Sequence, residues 1–175
     1  MGQHDLRSIA AKRQVIPALL SQIKYQPIAQ RLETVGAIAE IAKVDLPDHL
    51  MMTSQQVKAL RAAGMGIGAH TVHHPILACL EPDEAEQEIV GSRDYLQGLL
   101  GEPVTLFAYP NGKPETDYRR EHVEMARRLG FRAAISTVWG VARCDSDFFQ
   151  LPRFTPWERS RGRFGLSLLR NYRRG

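Results

Sequence analysis

Two histidines four residues apart, His70 and His74, are the residues whose type and spacing most directly suggest chemistry. Neutral imidazole nitrogens bind zinc and similar divalent ions at about 2.0–2.1 Å. Histidines at positions i and i+4 of a helical turn can converge on one ion. Thr71 between them can cap that turn or hold a ligating ring by a hydrogen bond. The pair therefore predicts part of a divalent metal site.

The same spacing leaves that site incomplete. A catalytic zinc ion usually has three protein ligands and a water, so one ligand, typically a carboxylate, remains to be found. His73 lies in the same turn, and we expect its ring to point away into solvent. Histidines with this spacing are also common as ordinary surface or core residues. Spacing alone leaves both interpretations open.

The elements around the histidines predict an α/β fold. Short strands are expected at 65–69, 104–109, 131–137 and 148–154, with helices beginning near Thr53, Pro82 and Asp117 and a last helix over 164–172. Strands that alternate with helices of crossover length favour parallel pairing. Because functional residues of such folds lie at the carboxyl ends of strands, His70 and Tyr109 are expected on one rim.

The first 45 residues have a different pattern. Apolar residues recur at helical spacing over 9–20 and 28–44, with interruptions expected at Pro17 and Pro27. This region carries neither a strand pattern nor a catalytic pattern. It predicts a helical N-terminal segment.

Composition excludes several classes of protein. The 175 residues are 43% hydrophobic and 24% charged, as expected for one globular domain with a core. No apolar run approaches the ~18–20 residues that cross a membrane, and residues 1–7 lack the apolar centre of a signal peptide. Cys79 and Cys144 are too few for a disulfide framework. A cytoplasmic location is expected, with envelope association left open.

The C-terminal residues are strongly basic. Six arginines and one acidic residue lie between 157 and 175, whereas the whole chain has a net charge of +4. A solvated terminal helix explains this pattern, and so does attraction to an anionic surface or partner. Aromatic residues are not interleaved as a base-stacking platform requires, so nucleic-acid binding is not expected.

Two segments together resemble a known family. Residues 66–75, Gly-Ile-Gly-Ala-His-Thr-Val-His-His-Pro, resemble the His-Ser/Thr-x-x-His motif of NodB-type polysaccharide deacetylases, carbohydrate esterase family four. Residues 107–112, Phe-Ala-Tyr-Pro-Asn-Gly, resemble the family's third motif in the branch that reads Phe-Ala-Tyr-Pro-x-Gly. The resemblance divides the chain into a helical segment at 1–50, a NodB-like region at 51–157 and a basic helix or tail at 158–175.

The resemblance implies a distorted (β/α) barrel, here a partial one, and a hydrolase acting on carbon–nitrogen bonds. Its substrate would be the N-acetyl groups of a polysaccharide or oligosaccharide, with a bacterial exopolysaccharide expected from the branch. His70 and His74 would bind zinc or another divalent metal. Tyr109 would line the acetyl-binding groove, the Asn111 N–H would donate to the oxyanion, and Arg153 would orient a catalytic carboxylate.

The chain also departs from the family pattern. The Thr-Phe-Asp-Asp-Gly motif, which supplies the base and the third ligand, has no match between residues 1 and 64, so the chain resembles the C-terminal part of a family member. Ala108 replaces the arginine of the third motif, and the late Leu-x-His motif is absent. Metal is then expected to be held weakly, or with help from Asp117 or Asp145. Unpaired sheet edges would favour homo-oligomers.

Three functions therefore remain open from the sequence. The leading one is a metal-dependent polysaccharide deacetylase domain, inactive if the missing acidic motif is truly lost. The second is a carbohydrate-binding or assembly protein that uses the same groove without chemistry. The third is a truncated product with no function of its own.

Overall fold

The computed structural model describes residues 6–155 and 157–174, in two compact units, Met1–Met51 and Met52–Gly175. The first unit contains helices α1 (Ile9–Ile23) and α2 (Ile28–Ala42). Pro27 lies just before α2, as expected, but Pro17 lies inside α1, so the interruption predicted there is wrong. The fixed φ of proline fits a helix, and water can bind the carbonyl that loses its donor on an exposed helix.

Four helices belong to the second unit, within the described residues: α3 (Ser54–Ala62), α4 (Pro82–Leu100), α5 (Arg120–Arg128) and α6 (Arg161–Arg174). Thr53 caps α3 in the predicted box with Gln56, where each side chain accepts a hydrogen bond from the other's backbone N–H. Pro82 begins α4, and Gly101, with φ of 69°, ends it. A short 3₁₀ turn, Leu77–Cys79, precedes α4. None of the described helices is long and apolar enough to cross a bilayer.

Parallel pairing orders the sheet. Strands β1 (Leu106–Ala108) and β2 (Ala133–Ile135) pair in parallel, with Phe107 opposite Ala134. Single parallel bridges join Ala69 to Phe107 on one side and Leu151 to Ile135 on the other. Four successive chain segments therefore lie side by side in chain order, and their carboxyl ends share one edge of the sheet.

All four segments are shorter than predicted, and the two outer ones are reduced to single bridges. Residues 65–69 form only the bridge at Ala69, because Gly64, Gly66 and Gly68 disfavour an extended strand. Residues 148–154 form only the bridge at Leu151, because Asp147 holds the preceding backbone in a turn by accepting from the Phe149 N–H. Both segments still pair in the predicted direction.

The core of the second unit lies between the sheet and helices α4 and α5. Phe107 of β1 is 1% exposed, and its ring centroid lies 5.1 Å from that of Tyr109 and 5.3 Å from that of Phe131. Helix α4 contributes Ala85 and Ile89, both fully buried. The segments that carry His70 and Tyr109 are therefore held by apolar burial, the main favourable term in folding.

A buried histidine lies in the first turn of α5. The Arg119 N–H donates to His122 Nδ1 at 2.9 Å, and the His122 ring is 1% exposed. Because Nδ1 accepts this bond, the imidazole is neutral in the folded protein. Burial lowers the pKa of His122 below its ordinary value.

We expect Phe107→Ala to lower the free energy of unfolding by about 3–5 kcal/mol, because it removes a buried aromatic ring and leaves a cavity. Leu106→Ala, on the same strand at a 39% exposed position, is the matched control and should cost much less. Urea unfolding of both variants measures the difference. Equal losses would show that Phe107 is not central to the core.

We expect the stability to fall as the pH drops through the unfolded-state pKa of His122, near 6.5. The folded-state pKa is lower, so between the two values the unfolded chain binds more protons, and stability is fully present only above the unfolded-state pKa. Urea unfolding at about pH 8 and about pH 5.5 should show this loss in the wild type. His122→Gln should lack that component, and an identical pH dependence in the variant would contradict the assignment.

Candidate metal centre

Backbone pairing places His70 beside the end of β1. The Ala69 N–H donates to the Leu106 carbonyl at 2.8 Å, and the Ala108 N–H donates to the Ala69 carbonyl at 2.9 Å. The His70 ring then reaches back, with Nδ1 at 2.7 Å from the Ala108 carbonyl oxygen. Because a carbonyl only accepts, Nδ1 carries the proton, which leaves the lone pair on Nε2 for a metal ion.

His74 meets His70 through a loop and not through the predicted helical turn. The two exposed rings pack edge to face, with centroids 4.8 Å apart. Thr71 and His74 have φ of 63° and 53°, in the left-handed region. The Thr71 hydroxyl donates to the His70 carbonyl at 2.5 Å, so it supports the loop backbone. The His70 ring donates its hydrogen bond to the Ala108 carbonyl and not to Thr71.

His73 turns to a carboxylate on α4. Its Nδ1 lies 2.6 Å from Glu88 Oε1, while the N–H groups of Val72 and His73 both donate to Glu88 Oε2, at 2.9 and 2.8 Å. The His73 side chain is 59% exposed, as expected for a solvated ring, but its hydrogen bond to Glu88 was not predicted. No role was predicted for Glu88 from the sequence. The only available signal was its place on a helix that follows the histidine motif.

Tyr109 is part of the core. Its side chain is 2% exposed, its hydroxyl donates to the Phe149 carbonyl at 2.9 Å, and its ring stacks on Tyr118 with centroids 3.8 Å apart. Burial raises the pKa of Tyr109. The predicted groove-lining side chain is therefore directed inward. The reason is strand alternation, which sends Tyr109 to the same face as Phe107.

Asn111 lies in a tight loop that is tied to the end of β2. Thr137 donates from Oγ1 to the Asn111 carbonyl at 2.7 Å and from its N–H to the Gly112 carbonyl at 2.8 Å. Gly112 has φ of 73°, and a Cβ there would lie 2.9 Å from Thr137 Cγ2, so glycine is required. The Asn111 N–H donates to no acceptor in the described part of the chain. Its role as an oxyanion donor stays a prediction.

Arg153 follows the outermost parallel segment. Its N–H donates to the Val138 carbonyl at 2.8 Å, and its exposed guanidinium forms no ion pair with any carboxylate among residues 6–155 and 157–174. It lies two residues after Leu151, at the carboxyl edge that also carries His70. Its predicted role in orienting a carboxylate stays a prediction.

The two histidines supply part of a metal ligand set. No three His, Cys, Asp or Glu side chains of the described residues are grouped so that they could hold an ion. Asp117, expected as a recruited ligand, is fully buried and accepts from the Lys113 N–H at 3.0 Å, so it braces its own loop. Asp145 is exposed and outside any such group. The pair fits a divalent cation as two imidazole ligands that need a third.

Comparisons with known proteins identify the family of the chain. A family model described as polysaccharide deacetylase matches residues 30–134, which are 105 of the 175 residues. The match begins inside α2, upstream of the predicted boundary at residue 51. The Bacillus subtilis (strain 168) protein YxkH, whose name assigns it provisionally to the polysaccharide deacetylases, is 26% identical over 102 residues, covering 58% of this chain and 35% of YxkH.

Solved structures share the fold. The Streptococcus pyogenes deacetylase PplD, in complex with acetate, matches with a TM-score of 0.62 and 27% identity over 71% of this chain and 52% of PplD. The polysaccharide deacetylase BC0361 from Bacillus cereus matches with a TM-score of 0.59 and 19% identity over 70% of this chain and 38% of BC0361. The chain thus spans about half or less of these relatives. The predicted α/β fold, a partial barrel with an open sheet, is confirmed.

We expect Tyr109→Phe to lower the free energy of unfolding by about 1–3 kcal/mol, because the buried Phe149 carbonyl loses its donor. Tyr95→Phe removes an exposed hydroxyl that bonds to Ser54 and is the matched control, with an expected change within about 0.5 kcal/mol. Thermal or urea unfolding measures both variants. A Tyr109→Phe variant as stable as the wild type would argue against a stabilising hydrogen bond from the Tyr109 hydroxyl to the Phe149 carbonyl.

Proposed function

The chain belongs to the polysaccharide deacetylase family, and we propose that its His70 and His74 bind a divalent metal in a site that removes N-acetyl groups from a bacterial exopolysaccharide. The supporting observation is the convergence of the two imidazoles, with centroids 4.8 Å apart, while the Ala108 carbonyl holds His70 Nδ1. PplD, a 27% identical relative, was solved with acetate, the product of an acetyl hydrolase.

Each residue has a distinct task in this proposal. Zinc or another divalent ion would supply Lewis acidity toward the acetyl carbonyl and toward water. His70 would bind through Nε2, and the Ala108 carbonyl that accepts from Nδ1–H increases the basicity of that nitrogen. The Asn111 N–H would donate to the carbonyl oxygen as negative charge develops there.

A carboxylate is still needed as third ligand and base, and Arg153 would orient it. Because the described residues supply two imidazoles and no such carboxylate beside them, we expect weak metal binding. The same observation favours a second candidate, a carbohydrate-binding protein that uses this edge of the fold without turnover.

Acetate release from N-acetylglucosamine oligomers, with and without added zinc, tests the proposal. We expect only slow zinc-dependent release from the wild type, because no carboxylate of the described residues lies beside the two imidazoles, and none from His70→Ala or His74→Ala, because each loses an imidazole ligand. His49→Ala removes a histidine that lies outside the loop of these two residues and is 84% exposed, so it is the matched control and should keep the release.

Zinc content after dialysis provides a second measurement. We expect less than one equivalent to be retained, and a full equivalent would overturn the expectation of weak binding. Binding of the oligomers without acetate release would favour the carbohydrate-binding candidate. A wild-type chain that neither binds zinc nor releases acetate would reject the proposed function.

A further inference from the structure

A side chain of α4 supports the loop between the two histidines from outside. Glu88, on α4, accepts three hydrogen bonds from this loop, which we define as the histidine loop, residues 70–74. Oε2 accepts from the Val72 and His73 N–H groups at 2.9 and 2.8 Å, and Oε1 lies 2.6 Å from His73 Nδ1. The Glu88 side chain is only 11% exposed, so these bonds are partly shielded from water.

The conformation of the histidine loop requires such support. Thr71 and His74 both have positive φ, which residues other than glycine rarely adopt, and Thr71 is β-branched. Conformations of this kind persist only where surrounding contacts hold them. A single carboxylate oxygen that accepts from two successive N–H groups fixes the backbone between Thr71 and His74.

A second feature of α4 is its close approach to this loop at Gly91. Gly91 lies three residues after Glu88, on the same side of α4. A Cβ at Gly91 would lie 3.1 Å from Val72 Cγ2, so any larger residue there would require Val72 to shift by a few tenths of an ångström. Glycine inside a helix is otherwise unfavourable, and the close approach of Val72 gives it a physical reason.

Helix α4 is also a firm support for this contact. Ala85 and Ile89 bury its inner side completely, and Glu86 pairs with Arg128 of α5 through two hydrogen bonds of 3.0 and 2.8 Å. Because the helix is packed, the Glu88 carboxylate has a fixed position and can fix the position of the loop that it binds. A carboxylate on a mobile loop would not fix the position of its partner.

We propose that Glu88 is a positioning residue that sets the histidine loop so that His70 and His74 converge and His73 is drawn away from them. This rests on the proposed function only in that the converging rings are taken as metal ligands. Glu88 itself contacts neither His70 nor His74 through these bonds. It acts through the backbone of Val72 and His73 and through the His73 ring.

The first experiment needs no metal. Amide hydrogen exchange of Val72 and His73, and the NMR contact between the His70 and His74 rings, are compared in the wild type, Glu88→Gln and Glu88→Ala. We expect amide exchange about 10-fold or more faster in Glu88→Ala, an intermediate effect in Glu88→Gln, and loss of the ring contact in Glu88→Ala. Glu86→Gln, the same change two residues away on α4, should leave both measurements unchanged.

The second experiment titrates zinc alone into the same four proteins by calorimetry. We expect the affinity to fall about 10- to 100-fold in Glu88→Ala, less in Glu88→Gln, and little in Glu86→Gln. Unfolding midpoints are measured alongside, because Glu86→Gln also loses a salt bridge and controls for general destabilisation of α4. If Glu88→Ala does not fold, Glu88→Gln against Glu86→Gln decides the comparison.

The outcomes separate this proposal from the proposed function. Unchanged amide exchange and an unchanged ring contact in the Glu88 variants would overturn the positioning role, as would a loss of zinc affinity no larger than that of Glu86→Gln. A wild-type chain that takes up no zinc would reject the proposed function. The exchange and ring-contact measurements would still decide whether Glu88 sets the loop.

Discussion

The parallel bridge between Ala69 and Phe107 is the interaction on which the rest of the site depends. Its two backbone hydrogen bonds, from Ala69 to Leu106 and from Ala108 to Ala69, bring a segment near residue 70 against a strand almost forty residues later in the chain. Once that register is set, the Ala108 carbonyl accepts a hydrogen bond from His70 Nδ1 and thereby selects the tautomer of the ring. The next bridges continue the same edge through β2 to Leu151.

Helix α4 links the core to the site. Its inner side is anchored by Ala85 and Ile89, while Glu88 and Gly91 receive the histidine loop. One element therefore carries both apolar burial, which supplies most of the stability, and the polar contacts that shape an exposed loop. The positive φ values of Thr71 and His74 in that loop persist because contacts with the packed helix beside it hold the backbone in place.

Much of this could be predicted from local pattern. The cap of α3 at Thr53, the start of α4 at Pro82 and the α/β order followed from residue types at short range, and the structure confirms them. The surroundings of the candidate site residues depend on distant neighbours and had no such local signal. The Tyr109 side chain points into the core, where its hydroxyl donates to the Phe149 carbonyl and its ring stacks on Tyr118. Asp117 is buried and accepts a hydrogen bond within its own loop.

The sequence by itself determined the family, the pair of imidazoles and the alternation of strands and helices, because motif spacing and apolar periodicity are properties of neighbouring residues. Only the tertiary structure decided how the pair converges. The histidine loop is not the helical turn that its spacing suggested, because Glu88, Gly91 and the Ala108 carbonyl act on it from elements beyond the motif. Contacts between residues far apart in the chain leave no periodic trace, so they become visible only when the chain is folded.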